Sequence, residues 1–164
     1  MQHARSHSTL VTTSQRTKRR DFVLQVIASF ERFGIREDEC FCQQIDPGAA
    51  VDWETQWMTR AEQASVIPCF VCAEYPMSKA CVDEFKYARN ARKLLVIALS
   101  PLHEIASLPI DEGLGNGPVV GHFKKGEQCL LSWPGAPPGD AEGSDFSKPE
   151  VVAEYIYTRW LRLG

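Results

Sequence analysis

The sequence predicts an α/β fold: a five-stranded parallel sheet with helices on both faces. Three observations point to it. Two near-continuous apolar runs, Val66–Ala73 and Lys93–Leu99, suit strands covered on both sides, as parallel strands are. Between the strand-like runs lie segments whose apolar residues recur at helical spacing. Strand and helix therefore alternate, and a parallel pair needs such a crossover.

The elements follow in order. Thr9–Thr13 is β-branched and short, and reads as the first strand. Over Arg16–Phe33 the period changes: Phe22, Val26, Phe30 and Phe33 recur at helical spacing, with Val23 and Ile27 widening the stripe, and Gly34 ends it. Glu39–Gln44 is a second strand, and Asp46-Pro47-Gly48 marks a loop. Asp52 is placed to cap a helix through Trp53, Trp57, Met58, Ala61 and Ala64. Between the two apolar strands, Cys81, Phe85 and Ala88 give a helix its inner face. From 101 to 127 periodicity fades among Pro109, Gly113, Gly115, Gly117 and Pro118, which predicts a long irregular segment with room for one short helical turn. Gln128–Trp133 is the last strand, the Pro/Gly/Asp-rich stretch 134–147 reads as an exposed, mobile loop, and Lys148–Leu163 closes the chain as a helix. The order is that of one doubly wound, flavodoxin-like domain over about 9–163. Met1 close to the first strand and Gly164 just after the last helix suggest a domain cut from a longer chain.

Bulk properties narrow the function. At 164 residues, 44% hydrophobic and 24% charged, the chain has the make-up of one soluble globular domain. A net charge of −3 argues against a general nucleic-acid binder. The longest apolar run, Leu94–Leu99, is far too short to span a membrane. Met1–Ser8 lacks the apolar stretch of a secretory signal, so a cytoplasmic protein is expected. Cys40, Cys42, Cys69, Cys72, Cys81 and Cys129 then read as free thiols, most of them buried. Cys69 and Cys72 are spaced like a metal-ligand pair, but three residues apart on a strand they face opposite ways, so no metal is expected.

Glu84 is the residue of most interest. It lies early in the helix after Val66–Ala73, above the end of the sheet, where α/β folds hold ligands. Its competing reading is an exposed helix residue pairing with Lys86 or Arg89. Asp83 should point to solvent. The basic run Arg16, Lys18, Arg19 and Arg20 opens the first helix, where the dipole disfavours cations. A pyrophosphate would neutralise it; the alternatives are a solvated face, or contact with an acidic protein or a membrane surface. Trp53 and Trp57, one helical turn apart, read first as core and loop anchor; Trp53, beside the Pro47-Gly48 loop, is the better placed to stack on an aromatic base, and Phe41, otherwise a core residue, to line a pocket from the second strand. Ser78 sits in the loop before the Glu84 helix, within reach of a substrate. No base stands beside Cys81, so a cysteine nucleophile is not expected.

The segment Ala73-Glu74-Tyr75-Pro76-Met77-Ser78-Lys79-Ala80-Cys81-Val82-Asp83-Glu84-Phe85 resembles the Ser-x-x-Tyr-x-x-Ser-x-Trp-Cys-x-x-Glu-Leu segment of TIR (Toll/interleukin-1 receptor) domains. Tyr75, Ser78, Cys81 and Glu84 fall on pattern positions, while Ala80 replaces the Trp and Phe85 the Leu. Asp21-Phe22-Val23 through Phe33-Gly34-Ile35 resembles the family's first helix, and Pro47-Gly48 its loop before the second helix. Gln43 stands where an Asp is common. The likeness runs over about 9–163 and is strongest over 20–100.

The resemblance implies NAD+ as substrate, no cofactor, and cleavage of the nicotinamide–ribose bond with Glu84 as the catalytic carboxylate. It also implies self-association, or binding to other TIR domains, in immune or cell-death signalling. The assembly loop would be Asp46, Pro47 and Gly48. Cys81 matches a position beside the substrate. An ungapped alignment puts Ser14 where TIR enzymes often carry an arginine, and a shift of two residues puts Arg16 there. The chemistry is coherent: breaking this bond builds positive charge on the ribose carbon, which a carboxylate stabilises. Nicotinamide departs as a neutral molecule, so one carboxylate suffices. The alternatives are a non-catalytic TIR scaffold acting through the Pro47-Gly48 loop, and another flavodoxin-like enzyme acting at a ribose carbon, such as a deoxyribosyltransferase.

Overall fold

The computed structural model describes residues 8–43, 52–137 and 145–161. It is an α/β structure built on parallel strands. β1 (Val11–Thr12) pairs with β3 (Cys40–Phe41), and β2 (Ser14–Gln15) pairs with β4 (Ile67–Val71). Beyond β4 come β5 (Leu94–Ala98) and β6 (Leu130–Leu131), which completes a four-stranded sheet in the order β2-β4-β5-β6. A bridge between Val11 and Val66 joins the two ladders.

The first extended segment runs further than the β-branched residues alone predict. Thr13 is not a stop but a joint: its N–H donates to Phe41 O at 2.9 Å, and its carbonyl accepts from the buried Trp57 Nε1 at 3.0 Å. Every polar backbone group buried here needs such a partner. The chain therefore stays extended through Gln15, and Ser14 belongs to the sheet rather than to a loop.

Helices cover both faces. α1 (Arg20–Ser29) follows a 3-10 turn at Thr17–Arg19, and a second such turn at Phe30–Phe33 ends on Gly34. Gly34 has φ +80°, a left-handed conformation that a side chain would strain. Phe22 of α1 meets Phe70 of β4 edge-on at 6.3 Å, and α1 packs along α6 (Pro149–Ile156). Successive strand residues point to opposite faces. Cys69, and Ser14 in register with it, therefore face the other layer, made by α2 (Trp53–Gln63), α3 (Lys79–Asn90) and α5 (Gly117–Lys124). Trp57 of α2 touches Tyr87 of α3 edge-on at 5.9 Å, and Phe85 of α3 meets His122 of α5 at the same distance.

Two expectations are corrected. The segment 101–127 is not irregular throughout, since it holds α4 (Leu102–Ala106) as well as α5. Val119, Val120 and Phe123 bury one face of α5, and Pro118 sits at its start, where its missing N–H costs nothing. In the stretch read as exposed, Phe146 is buried, and its carbonyl accepts the Ser132 hydroxyl; positions 138–144 lie outside the described residues. Shorter shifts are terminal. β3 is Cys40–Phe41: Glu39 ends the 3-10 turn Glu37–Glu39, Cys42 and Gln43 follow the strand, and Gln44 lies outside the described residues; the last helix becomes a π-turn at Tyr157–Leu161, and positions 162–164 lie outside them too. No helix among the described residues is long and apolar enough to cross a membrane. All six cysteines are free thiols.

Candidate active site

The site grows out of the chain leaving β4. After Val71 the backbone makes a 3-10 turn at Tyr75–Met77, helped by Pro76, and enters α3 at Ser78. The Ser78 hydroxyl accepts from the Cys81 N–H at 3.3 Å and so caps the helix. α3 turns Cys81, Val82, Phe85 and Ala88 inward. Glu84 lies beside this stripe, half-buried, and reaches the sheet rather than Lys86 or Arg89.

There Ser14 Oγ donates to Glu84 Oε1 at 2.6 Å, and Ser14 Oγ also lies 2.7 Å from the Tyr75 hydroxyl. Ser14 is 1% exposed and Tyr75 0%. No described residue pairs with Glu84 Oε2, and no described cation pairs with the carboxylate. Burial disfavours its charge and pushes the Glu84 carboxyl up to about 7; the Ser14 hydrogen bond opposes this, and Asp83 adds a smaller push upward. Asp83 itself is exposed and pairs with Lys79 at 2.8 Å, as its position predicts.

The neighbouring groups are held neutral. Burial raises the Cys69 thiol far above its ordinary range, the Cys81 thiol to about 12 and the Tyr75 phenol well upward. A thiol this reluctant to ionise is a poor nucleophile. Cys81 is packing.

The other expected residues divide. Arg16, half-buried just after β2, comes near enough for its charge to lower the Cys81 thiol's affinity for its proton, against the effect of burial. Its charge bears on Cys81, while the groups that set the Glu84 proton affinity are Ser14 and Asp83, beside burial. Ser14 is buried, and its hydroxyl proton goes to Glu84. Ser78 accepts the helix cap bond. Phe41, half-buried on β3, lies under the Arg60 guanidinium at 5.1 Å from the ring centre. Trp53 opens α2, but its side chain lies outside the described residues, as do Asp46, Pro47 and Gly48.

Part of the basic run has a carboxylate nearby. Lys18 and Arg19 help hold the Glu74 carboxyl below its usual range, after the larger effect of the Cys72 thiol donating to it at 3.1 Å. Tyr75 is the residue that sequence reasoning left without a role. Its place in the pattern was visible, but its hydroxyl contact spans 61 residues and leaves no local trace. A separate cleft of about 380 Å³, lined by Leu95, His122, Cys129, Tyr155, Arg159 and Trp160 among others, does not include Glu84. Among the described residues no His, Cys, Asp or Glu group is arranged to hold a metal.

No family model matches this sequence, and no curated protein aligns with it significantly.

Proposed function

We propose that this chain is a TIR domain that cleaves the nicotinamide–ribose bond of NAD+, with Glu84 stabilising the ribosyl cation. The observation that carries the reading is Glu84 itself. It is a half-buried carboxylate with Oε1 tied to Ser14 and Oε2 unpaired among the described residues. Such a group meets a developing cation at low solvent exposure, where its charge counts for more than in water. Arg16 lies nearby as a candidate contact for the substrate phosphates.

The topology supports the same reading. Taken as one strand jointed at Thr13, Val11–Gln15 lies between β3 and β4. That supports a five-stranded parallel sheet of the flavodoxin-like kind, in which the strand order reverses between the first strand and β4. Ligands of such sheets bind at that reversal, and Ser14, with Glu84 above it, is on the strand that flanks it.

The test is incubation of concentrated protein with NAD+, following nicotinamide release, beside Glu84→Ala. The proposal expects release by wild type that grows more than linearly with protein concentration, as assembly requires, and is lost in the variant. A second reading is a non-catalytic scaffold in immune or cell-death signalling. An assembled sample that releases no nicotinamide selects the scaffold.

A further inference from the structure

We propose that Ser14 and Tyr75 are positioning residues for Glu84: a buried two-hydroxyl chain that fixes Oε1 and leaves Oε2 for the substrate. The proposal rests on Glu84 being the reacting carboxylate. A hydroxyl carries one proton. With Glu84 ionised, Ser14 gives that proton to Oε1 over 2.6 Å, so Tyr75 must donate to Ser14 over 2.7 Å. Burial keeps the Tyr75 phenol protonated well beyond its ordinary range. The terminal donor is therefore constant wherever Glu84 titrates.

The chain stops at Tyr75, which is wholly buried and edge-on to Phe85 at 6.5 Å. It is a fixed dipole aimed at the carboxylate, not a path for protons to solvent. Its parts come from three elements: Ser14 from β2, in register with Cys69, Tyr75 from the turn after β4, and Glu84 from α3. A carboxylate tied at one oxygen to the sheet is held in one orientation, as attack on a single ribose carbon demands. Around it, Asp83 on α3 pushes the carboxyl's proton affinity up, Cys69 on β4 and Cys81 on α3 are neutral thiols, and Arg16 after β2 bears on Cys81. Among the described groups, the Ser14 hydroxyl alone opposes burial at Glu84.

Carboxyl-labelled glutamate, with the Glu84 resonance assigned by its absence from Glu84→Gln, reports this titration directly by ¹³C NMR. Ser14→Ala is expected to raise the Glu84 midpoint by about one pH unit. It should also lower kcat for nicotinamide release about 10- to 100-fold, with KM changed less than about threefold. Tyr75→Phe moves both in the same direction by less, and Ser14→Thr, which keeps the hydroxyl, restores most of the loss. A Glu84 midpoint and kcat unchanged in Ser14→Ala overturn the proposal. Should Ser14→Ala not fold, a midpoint displaced in Tyr75→Phe and retained in Ser14→Thr supports it, and any other pattern overturns it. The NMR arm needs no turnover. A wild type that releases no nicotinamide yet shows the shifted midpoints contradicts the reaction and leaves the hydroxyl chain standing.

Discussion

At the residue scale, Glu84, the proposed catalytic carboxylate, makes stability depend on pH. Its carboxyl rises from an ordinary 4.5 to about 7 in the folded chain. Between those values the native state holds a proton that the unfolded chain has released. Stability is therefore highest below the unfolded value and falls as pH climbs through the folded one, by on the order of 3 kcal/mol in all. Glu84→Gln cannot ionise, and its amide oxygen can still accept from Ser14. It should be more stable than wild type by an amount of that order near about pH 8 and nearly equal near about pH 4. Urea denaturation at the two pH values measures it; equal stability of both proteins at the higher pH contradicts the shift. Glu84 itself was legible, because a carboxylate early in a helix after a buried strand is a local pattern. Its partner was not, because Ser14 lies 70 residues away and becomes a sheet residue only through the joint at Thr13.

At the element scale, α3 presents Glu84, and Ser78 starts α3. Capping and substrate contact make different demands on Ser78. As a cap, Ser78→Ala should cost about 1 kcal/mol of stability while leaving KM for NAD+ unchanged. A raised KM with unchanged stability would return Ser78 to the substrate-contact role that its loop position suggests. The element pattern was legible where periodicity was strong: Phe22, Val26 and Phe30 for α1, and the continuous apolar runs for β4 and β5. It failed at α5, where Gly117, Pro118 and Gly121 mask three buried apolar residues. Pro and Gly there mark the start of a helix and a tolerated interior position, not a loop. Phe146 failed for a related reason: one buried aromatic in a Pro/Gly/Asp-rich stretch has no period to announce it.

At the scale of the whole molecule, the parallel sheet was foreseeable because both β4 and β5 are apolar on both faces, which only a doubly covered sheet accommodates. The sheet brings together what the sequence separates. Ser14, Tyr75 and Glu84 come from three segments and meet on one face, with Arg16 just beyond the strand. A reacting carboxylate on this face would make a specific demand on pH. If ionised Glu84 is the reactive form, kcat/KM should rise about tenfold per pH unit below its pKa and level off above it. The most direct measurement is nicotinamide release from NAD+ by assembled wild-type protein across that range, with Glu84→Gln alongside. The predicted result is a rise that levels off near pH 7, the folded value for Glu84, and no release at any pH by the variant. Release by Glu84→Gln at the wild-type rate, or a wild-type rate that does not change across the range, would contradict it.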